Sequence, residues 1–363
     1  MELEEKEHIL YVTFNQDGTC FCVGTETGFM IYRSYPLKLK CKRDLGGGIG
    51  IIEMVGCSNI IALVGGGTNP KYDNNKVILW DDSRCSIMAE ILGTFEIHNI
   101  RIKKTTIFII GKTEINVFKF GNVYLKIDSI NTCQNQKGIF GISLDPKINI
   151  ICYPTDIGKI TIKNYNIKNK NNNSYKTDEI KAHQSEIVSL VMNYDGSLLA
   201  SASKQGTIIR IHQTKDNTLI QELRRGTKSS EIYSLIFDIK SQYLACSSNT
   251  GTIHIFIVKN EQNNIQNQKS IFGTITSFLG IQSEYLNSEW SFAQYRLEYK
   301  GKTVISFYNK DSIIVLTNDG KYYLGEFNIE TGGECITAVQ SDILDIDIND
   351  NKDKDKGEDK KDE

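Results

Sequence analysis

Apolar and β-branched runs of four to seven residues recur along the whole chain, separated by Gly, Asn, Asp and Ser. Runs of that length bounded by turn formers predict β-strands, and no long helical pattern competes with them. The strands come in repeated units. Ala200-Ser201-Ala202-Ser203-Lys204-Gln205-Gly206-Thr207-Ile208 reappears 45 residues later as Ala245-Cys246-Ser247-Ser248-Asn249-Thr250-Gly251-Thr252-Ile253. Ile187-Val188-Ser189-Leu190 and Ile232-Tyr233-Ser234-Leu235 keep the same offset. Equivalent turn-then-strand units begin at Gly28, Lys76, Glu114, Gly158, Gly206, Gly251 and Gly320, at spacings of 48, 38, 44, 48, 45 and 69. A period near 40–45 residues with several strands per unit is the signature of a β-propeller. The chain is therefore expected to be all-β, a seven-bladed propeller of the WD-repeat type over residues 1–340. Trp80-Asp81 supplies a WD dipeptide in the second unit.

The wide last spacing locates one insertion, at 259–289. Within it Ile271, Phe272, Ile275, Phe278 and Leu279 fall at i, i+1, i+4, i+7 and i+8, one face of a helical pattern. Gly273, Thr274, Thr276 and Ser277 lie opposite. Such a stripe in a loop has no partner unless it folds back or meets lipid.

Charge changes the picture at one end. The whole chain carries 42 basic and 44 acidic side chains, a net charge of −2. Residues 341–363 hold ten of the acidic groups and five lysines, a net of −5, which leaves +3 on the body. This segment is expected to be a disordered acidic tail. A nearly neutral body without basic, aromatic-interleaved patches argues against nucleic acid. No apolar run is long enough to span a bilayer, and Met1 to His8 is acidic rather than a leader, so a cytoplasmic protein is expected. Nine scattered cysteines without Cys-x-x-Cys suggest neither disulfides nor structural zinc.

No catalytic motif is present. The five histidines form no His-Glu-x-x-His, no Gly-x-Ser-x-Gly occurs, and Gly46-Gly47-Gly48 and Gly65-Gly66-Gly67 read as turns rather than phosphate loops. The expectation is a non-enzyme without cofactor or metal. The informative stretch is Leu223-Arg224-Arg225-Gly226, between the fifth and sixth units. Adjacent residues of a strand point to opposite faces, so two arginines there can serve two pockets. The fifth unit brings His183, Ser201, Ser203, Lys204, Thr207 and Arg210, and the sixth Ser248, Thr252 and His254. Hydroxyls, imidazole and guanidinium are the groups a phosphate dianion needs.

Leu-Arg-Arg-Gly after Gln-Glu resembles the arginine-pair motif of the PROPPINs, the phosphoinositide-binding propellers of autophagy called WIPI proteins in animals. Asn69-Pro70-Lys71-Tyr72, Ala182-His183, Gly206-Thr207-Ile208-Ile209-Arg210-Ile211, Gly251-Thr252-Ile253-His254-Ile255-Phe256 and Trp290-Ser291-Phe292 are similar to that family too. The resemblance, over about residues 8–340, implies binding of phosphatidylinositol 3-phosphate and phosphatidylinositol 3,5-bisphosphate at two rim sites. The first would comprise His183, Ser201, Ser203, Thr207, Arg210 and Arg224, and the second Arg225, Ser248, Thr252 and His254. Gly226 would let the backbone turn beneath the headgroup. A histidine that some members carry after that glycine is missing from Thr227-Lys228-Ser229-Ser230, so the second site is expected to be weaker or to use Lys228. The 259–289 insertion corresponds to a membrane-inserting loop. The Asn-Pro-Lys-Tyr stretch looks like the subgroup that pairs with the bridge-like lipid-transfer protein of autophagy, for which Asn15 and Asp17 are candidate contacts. The implied location is cytoplasmic and peripheral on autophagosomal precursor, endosomal or vacuolar membranes. The competing expectation is a propeller scaffold that binds only proteins.

Overall fold

A computed structural model describes residues 7–119, 121, 124–164, 177–259, 267–269 and 288–346. Seven four-stranded antiparallel units follow one another, over residues 9–44, 49–92, 99–131, 141–181, 187–224, 232–296 and 303–342. The seven turn-then-strand repeats of the sequence are the third strands of these blades, from Gly28–Arg33 and Lys76–Asp81 through to Lys321–Asn328. Second and third strands are apolar on both faces because each blade is covered by its neighbours. Ile60–Gly65 and Lys76–Asp81 are almost wholly buried, whereas the outermost strand of the same blade, Ser86–Leu92, is almost wholly exposed.

The apolar core is divided into seven clusters, one at each blade-to-blade interface. First strands of all seven blades line an axial cavity of about 600 Å³. None of the residues expected to bind a headgroup lines it. Blades six and seven are joined into one sheet by parallel pairing of Ala293 with Gly333 and Gln294 with Glu334.

Blade one is built entirely from residues 9–44 and blade seven from 303–342, so among the described residues no exchanged strand closes the ring. Side-chain packing closes it. Phe21, Tyr32, Ile314, Leu316, Tyr322 and Ile343 share a core, and Phe21 stacks on Tyr32 with ring centroids 4.8 Å apart. Tyr32 donates its hydroxyl to the Ile343 carbonyl at 2.8 Å, and Tyr322 donates to the Ser34 carbonyl at 2.8 Å. This corrects the expected tail boundary at 341. The last strand, Gly332–Asp342, continues into a 3-10 turn, Ile343–Asp345, and Ile343 is fully buried. The rest of the acidic segment, 347–363, lies outside the described residues.

The glycine runs are contact points between loops. A Cβ on Gly48 would sit 2.2 Å from the Gly66 carbonyl oxygen, and Gly48 also bridges to Pro70 of the Asn-Pro-Lys-Tyr stretch.

Candidate phosphate-binding rim

Register places the first cluster. Ser201 lies opposite Arg210, and Arg210 opposite Glu222, across neighbouring strands of blade five. His183 arrives on the connection from blade four, with its backbone N–H on the Gly158 carbonyl. Its Nε2 lies 3.0 Å from Ser201 Oγ and 3.2 Å from Ser201 O. Arg210 donates from Nη1 to the Ala182 carbonyl at 2.7 Å and from Nε to Glu222 Oε2 at 2.9 Å. His183, Ser201 and Arg210 are thus gathered at the seam of blades four and five. Ser203 is buried and Thr207 half-buried on the turn that follows. Arg210 is already charge-paired, so it reaches a ligand only through what its fork has left.

That turn needs glycine. Gly206 has φ +61°, and a Cβ there would lie 1.8 Å from the Ser230 carbonyl oxygen. The close approach presses the segment after the arginines onto blade five, where Arg225 N donates to Thr207 O and Ser230 N to Gln205 O.

The two arginines diverge as alternation requires. Arg224 donates from Nε to Ser288 Oγ at 2.7 Å. Arg225 donates from Nε to Gly206 O at 2.8 Å and from Nη2 to Lys228 O. Lys228 therefore serves through its carbonyl, to hold Arg225. Both arginines are almost completely buried. On the sixth blade, His254 Nδ1 meets Ser291 Oγ at 3.2 Å, Ser248 Oγ meets Thr250 Oγ1 at 2.9 Å, and Thr252 is half-buried.

Two expectations are corrected. Gly226 is not among the glycines with left-handed backbone, and a Cβ there would meet nothing within 4 Å. The fold does not require glycine at this point. Asn15 is buried rather than displayed: Nδ2 donates to Thr19 Oγ1, and Oδ1 accepts from Cys20 N. Asp17 is exposed but caps Thr19 through its backbone N–H and hydroxyl. Asn193 and Asp195 make the same bonds to Ser197 and Leu198 in blade five. Asn-x-Asp-Gly-Ser/Thr is thus a repeated turn between first and second strands, which supplies its own reason for both residues. The apolar stripe Ile271, Phe272, Ile275, Phe278 and Leu279 lies outside the described residues.

Sequence reasoning passed over Ser288, Ser291 and His212. His212 is buried with its Nδ1 unpaired, on the same strand and face as Arg210. Burial, and then the Arg210 guanidinium, push His183 and His212 down to about 4; burial, and then Arg225 and Arg296, do the same to His254. All three are neutral in the folded chain at pH 7, whereas in the unfolded chain they take up protons below about 6.5. Their contribution to stability is intact above about pH 6.5 and is lost as pH falls toward 4. Glu53 works in the opposite sense, since burial, only partly offset by Arg101, raises it to about 7. With three groups against one, the melting temperature is expected to fall by several degrees between pH 7 and pH 5. A melt series in low-salt buffer checks this; a melting temperature that rises over that range would contradict the assignment of neutral, buried imidazoles.

The PROPPIN family model matches residues 9–344. SVP1-like protein 2 of Pichia angusta is 31% identical over 318 residues, covering 85% of this chain and 87% of its own. Autophagy-related protein 18e of Arabidopsis thaliana is 32% identical over 337 residues, covering 90% and 86%. Among solved structures, Kluyveromyces lactis Hsv2 with a complete loop 6CD superposes with a TM-score of 0.77 at 22% identity, over 93% of this chain and 99% of that one. A complex of KlAtg21 with the coiled coil of AgAtg16 gives a TM-score of 0.66 at 22% identity, over 93% and 99%. With a family match across nearly all of the propeller, this chain belongs to the PROPPINs, the autophagy-related phosphoinositide-binding β-propellers.

Proposed function

We propose that this chain is a non-enzymatic effector that reads phosphatidylinositol 3-phosphate and phosphatidylinositol 3,5-bisphosphate on membranes and recruits autophagy machinery there. One observation carries the reading: adjacent buried arginines, Arg224 and Arg225, are aimed at different surroundings, one at Ser288 and the other at the Gly206 and Lys228 carbonyls, where its charge acts on the His254 ring. One guanidinium makes a weak site for an exposed phosphate. Two sites and a loop proposed to touch the membrane, carried on one chain, combine by avidity. Among the described residues no helix is long and apolar enough to cross a bilayer. Attachment is therefore proposed to be peripheral, on autophagosomal precursor, endosomal or vacuolar membranes. The bridge-like lipid-transfer protein of autophagy is the proposed partner, with Asp17 rather than the buried Asn15 left as an exposed polar contact.

Vesicle flotation tests the reading. The chain is expected to float with vesicles containing either 3-phosphorylated lipid and to stay behind with unphosphorylated phosphatidylinositol. A scaffold that binds only proteins would ignore all three. The loop adds a second, separable expectation. With Phe272→Asp and Phe278→Asp, affinity for the soluble headgroup should stay near that of the unsubstituted chain, while vesicle affinity falls at least about tenfold, or 1.4 kcal/mol. Two carboxylates cannot enter hydrocarbon without a prohibitive desolvation cost. Equal losses in headgroup titration and flotation would reject insertion by this loop.

A further inference from the structure

One four-residue segment, Ser288-Glu289-Trp290-Ser291, touches both proposed headgroup sites. Ser288 Oγ accepts from Arg224 of the first site, and Ser291 Oγ meets His254 of the second at 3.2 Å. Between them Glu289 and Trp290 form a short strand, paired in parallel with Leu223 and Arg224 at the outer edge of blade five. Their other side pairs with Gln268 and Lys269, from the opposite end of the insertion. Ser288 and Ser291 are almost completely buried. The segment belongs to no blade's regular strands, so something must fix its seat.

Glu289 fixes it. Its Oε2 accepts from Gln221 Nε2 at 2.7 Å and from Asn267 Nδ2 at 2.9 Å, and its Oε1 pairs with Lys259. Gln221 belongs to the last strand of blade five, and its Oε1 accepts the Lys259 backbone N–H at 3.0 Å. Asn267 is itself locked to both backbone groups of Ile257 in blade six, at 2.7 Å each. One carboxylate therefore ties the edge of blade five, the third strand of blade six and the start of the insertion to the segment. Burial would raise this carboxyl, but the Asn267, Lys259 and Gln221 hydrogen bonds outweigh it and hold it below its ordinary value. Charge-assisted bonds of this kind are the strong ones.

We propose that Glu289 is a positioning residue for both headgroup sites: by seating Ser288–Ser291 it holds the Arg224 side chain on one side and the His254 ring on the other. The inference rests on the phosphoinositide reading above and adds a residue that touches no lipid.

The test titrates the full chain with soluble inositol 1,3-bisphosphate by calorimetry. An Arg225→Ala background isolates the first site and an Arg224→Ala background the second. Glu289→Ala is expected to weaken both isolated sites at least about threefold at temperatures well below its melting midpoint. Glu289→Gln, which keeps a carbonyl oxygen for the Gln221 and Asn267 donors, is expected to restore most of the affinity at both. Should Glu289→Ala fail to fold, Asn267→Ala removes one donor from the same carboxylate and should weaken both sites in the same direction. A lowered melting temperature with unchanged headgroup affinity overturns the proposal, as does a loss confined to one site. Failure of the unsubstituted chain to bind the headgroup overturns the phosphoinositide reading, and this one with it.

Discussion

The Arg224→Ala, Arg225→Ala double variant is expected to lose flotation with vesicles carrying phosphatidylinositol 3-phosphate, while each single variant keeps part of it. Arg224 and Arg225 leave the same strand end in different directions, one to Ser288 and the other to the Gly206 and Lys228 carbonyls. A charge-assisted hydrogen bond contributes about 1.5–3 kcal/mol, which corresponds to roughly 10- to 100-fold at each site. Losing both multiplies the effect, because the vesicle reads the product of the two sites. The double variant should still fold, since neither side chain belongs to the seven interblade cores. Its melting temperature should drop by a few degrees, because the Gly206 and Lys228 carbonyls lose a donor. Unchanged flotation by the folded double variant would remove the arginine pair from the binding account.

Ending the chain after Gln340 is expected to lower the melting temperature by about 10 °C or more. That truncation removes Ile343 from the core between blades seven and one and takes away the carbonyl that accepts from Tyr32. It also removes Asp342, which pairs with Lys321 at 3.0 Å. Emptying a buried aliphatic site costs about 2–5 kcal/mol, and an orphaned buried hydroxyl about 1–3 more. For a chain of this size each kcal/mol moves the midpoint by roughly 2–4 °C. Among the described residues this seam is held by side-chain packing and side-chain hydrogen bonds, and the truncation strikes it directly. Differential scanning calorimetry on the truncated and full chains checks the effect; matching midpoints would mean that the ring closes without Ile343.

The seven blades were legible because the grammar of a blade is local. Each third strand follows a turn, and glycines such as Gly206 or Gly251 mark it with a left-handed backbone. The arginine pair was legible for a similar reason, since alternation along a strand separates neighbours without any knowledge of the fold. What escaped was non-local. Tyr32 and Ile343 are 311 residues apart, so one isoleucine among aspartates read as part of an acidic tail. Ser288 and Ser291 lie at the end of an insertion that breaks the repeat, and the strand between them pairs in parallel with blade five, which no period could announce. Arg210 had the right chemistry, but its cross-strand neighbour Glu222 already shares its charge. Asn15 was read as displayed although a signal for its burial existed, because the same five-residue turn recurs at Asn193–Ser197 with the same hydrogen bonds.

The central claim is that two separate phosphate sites flank the strand end of blade five. Calorimetric titration with soluble inositol 1,3-bisphosphate measures this by stoichiometry, free of the membrane and the loop. The account predicts two equivalents per chain, one in each single arginine variant and none in the double. A single equivalent in the unsubstituted chain that persists in the Arg224→Ala, Arg225→Ala double variant would contradict it.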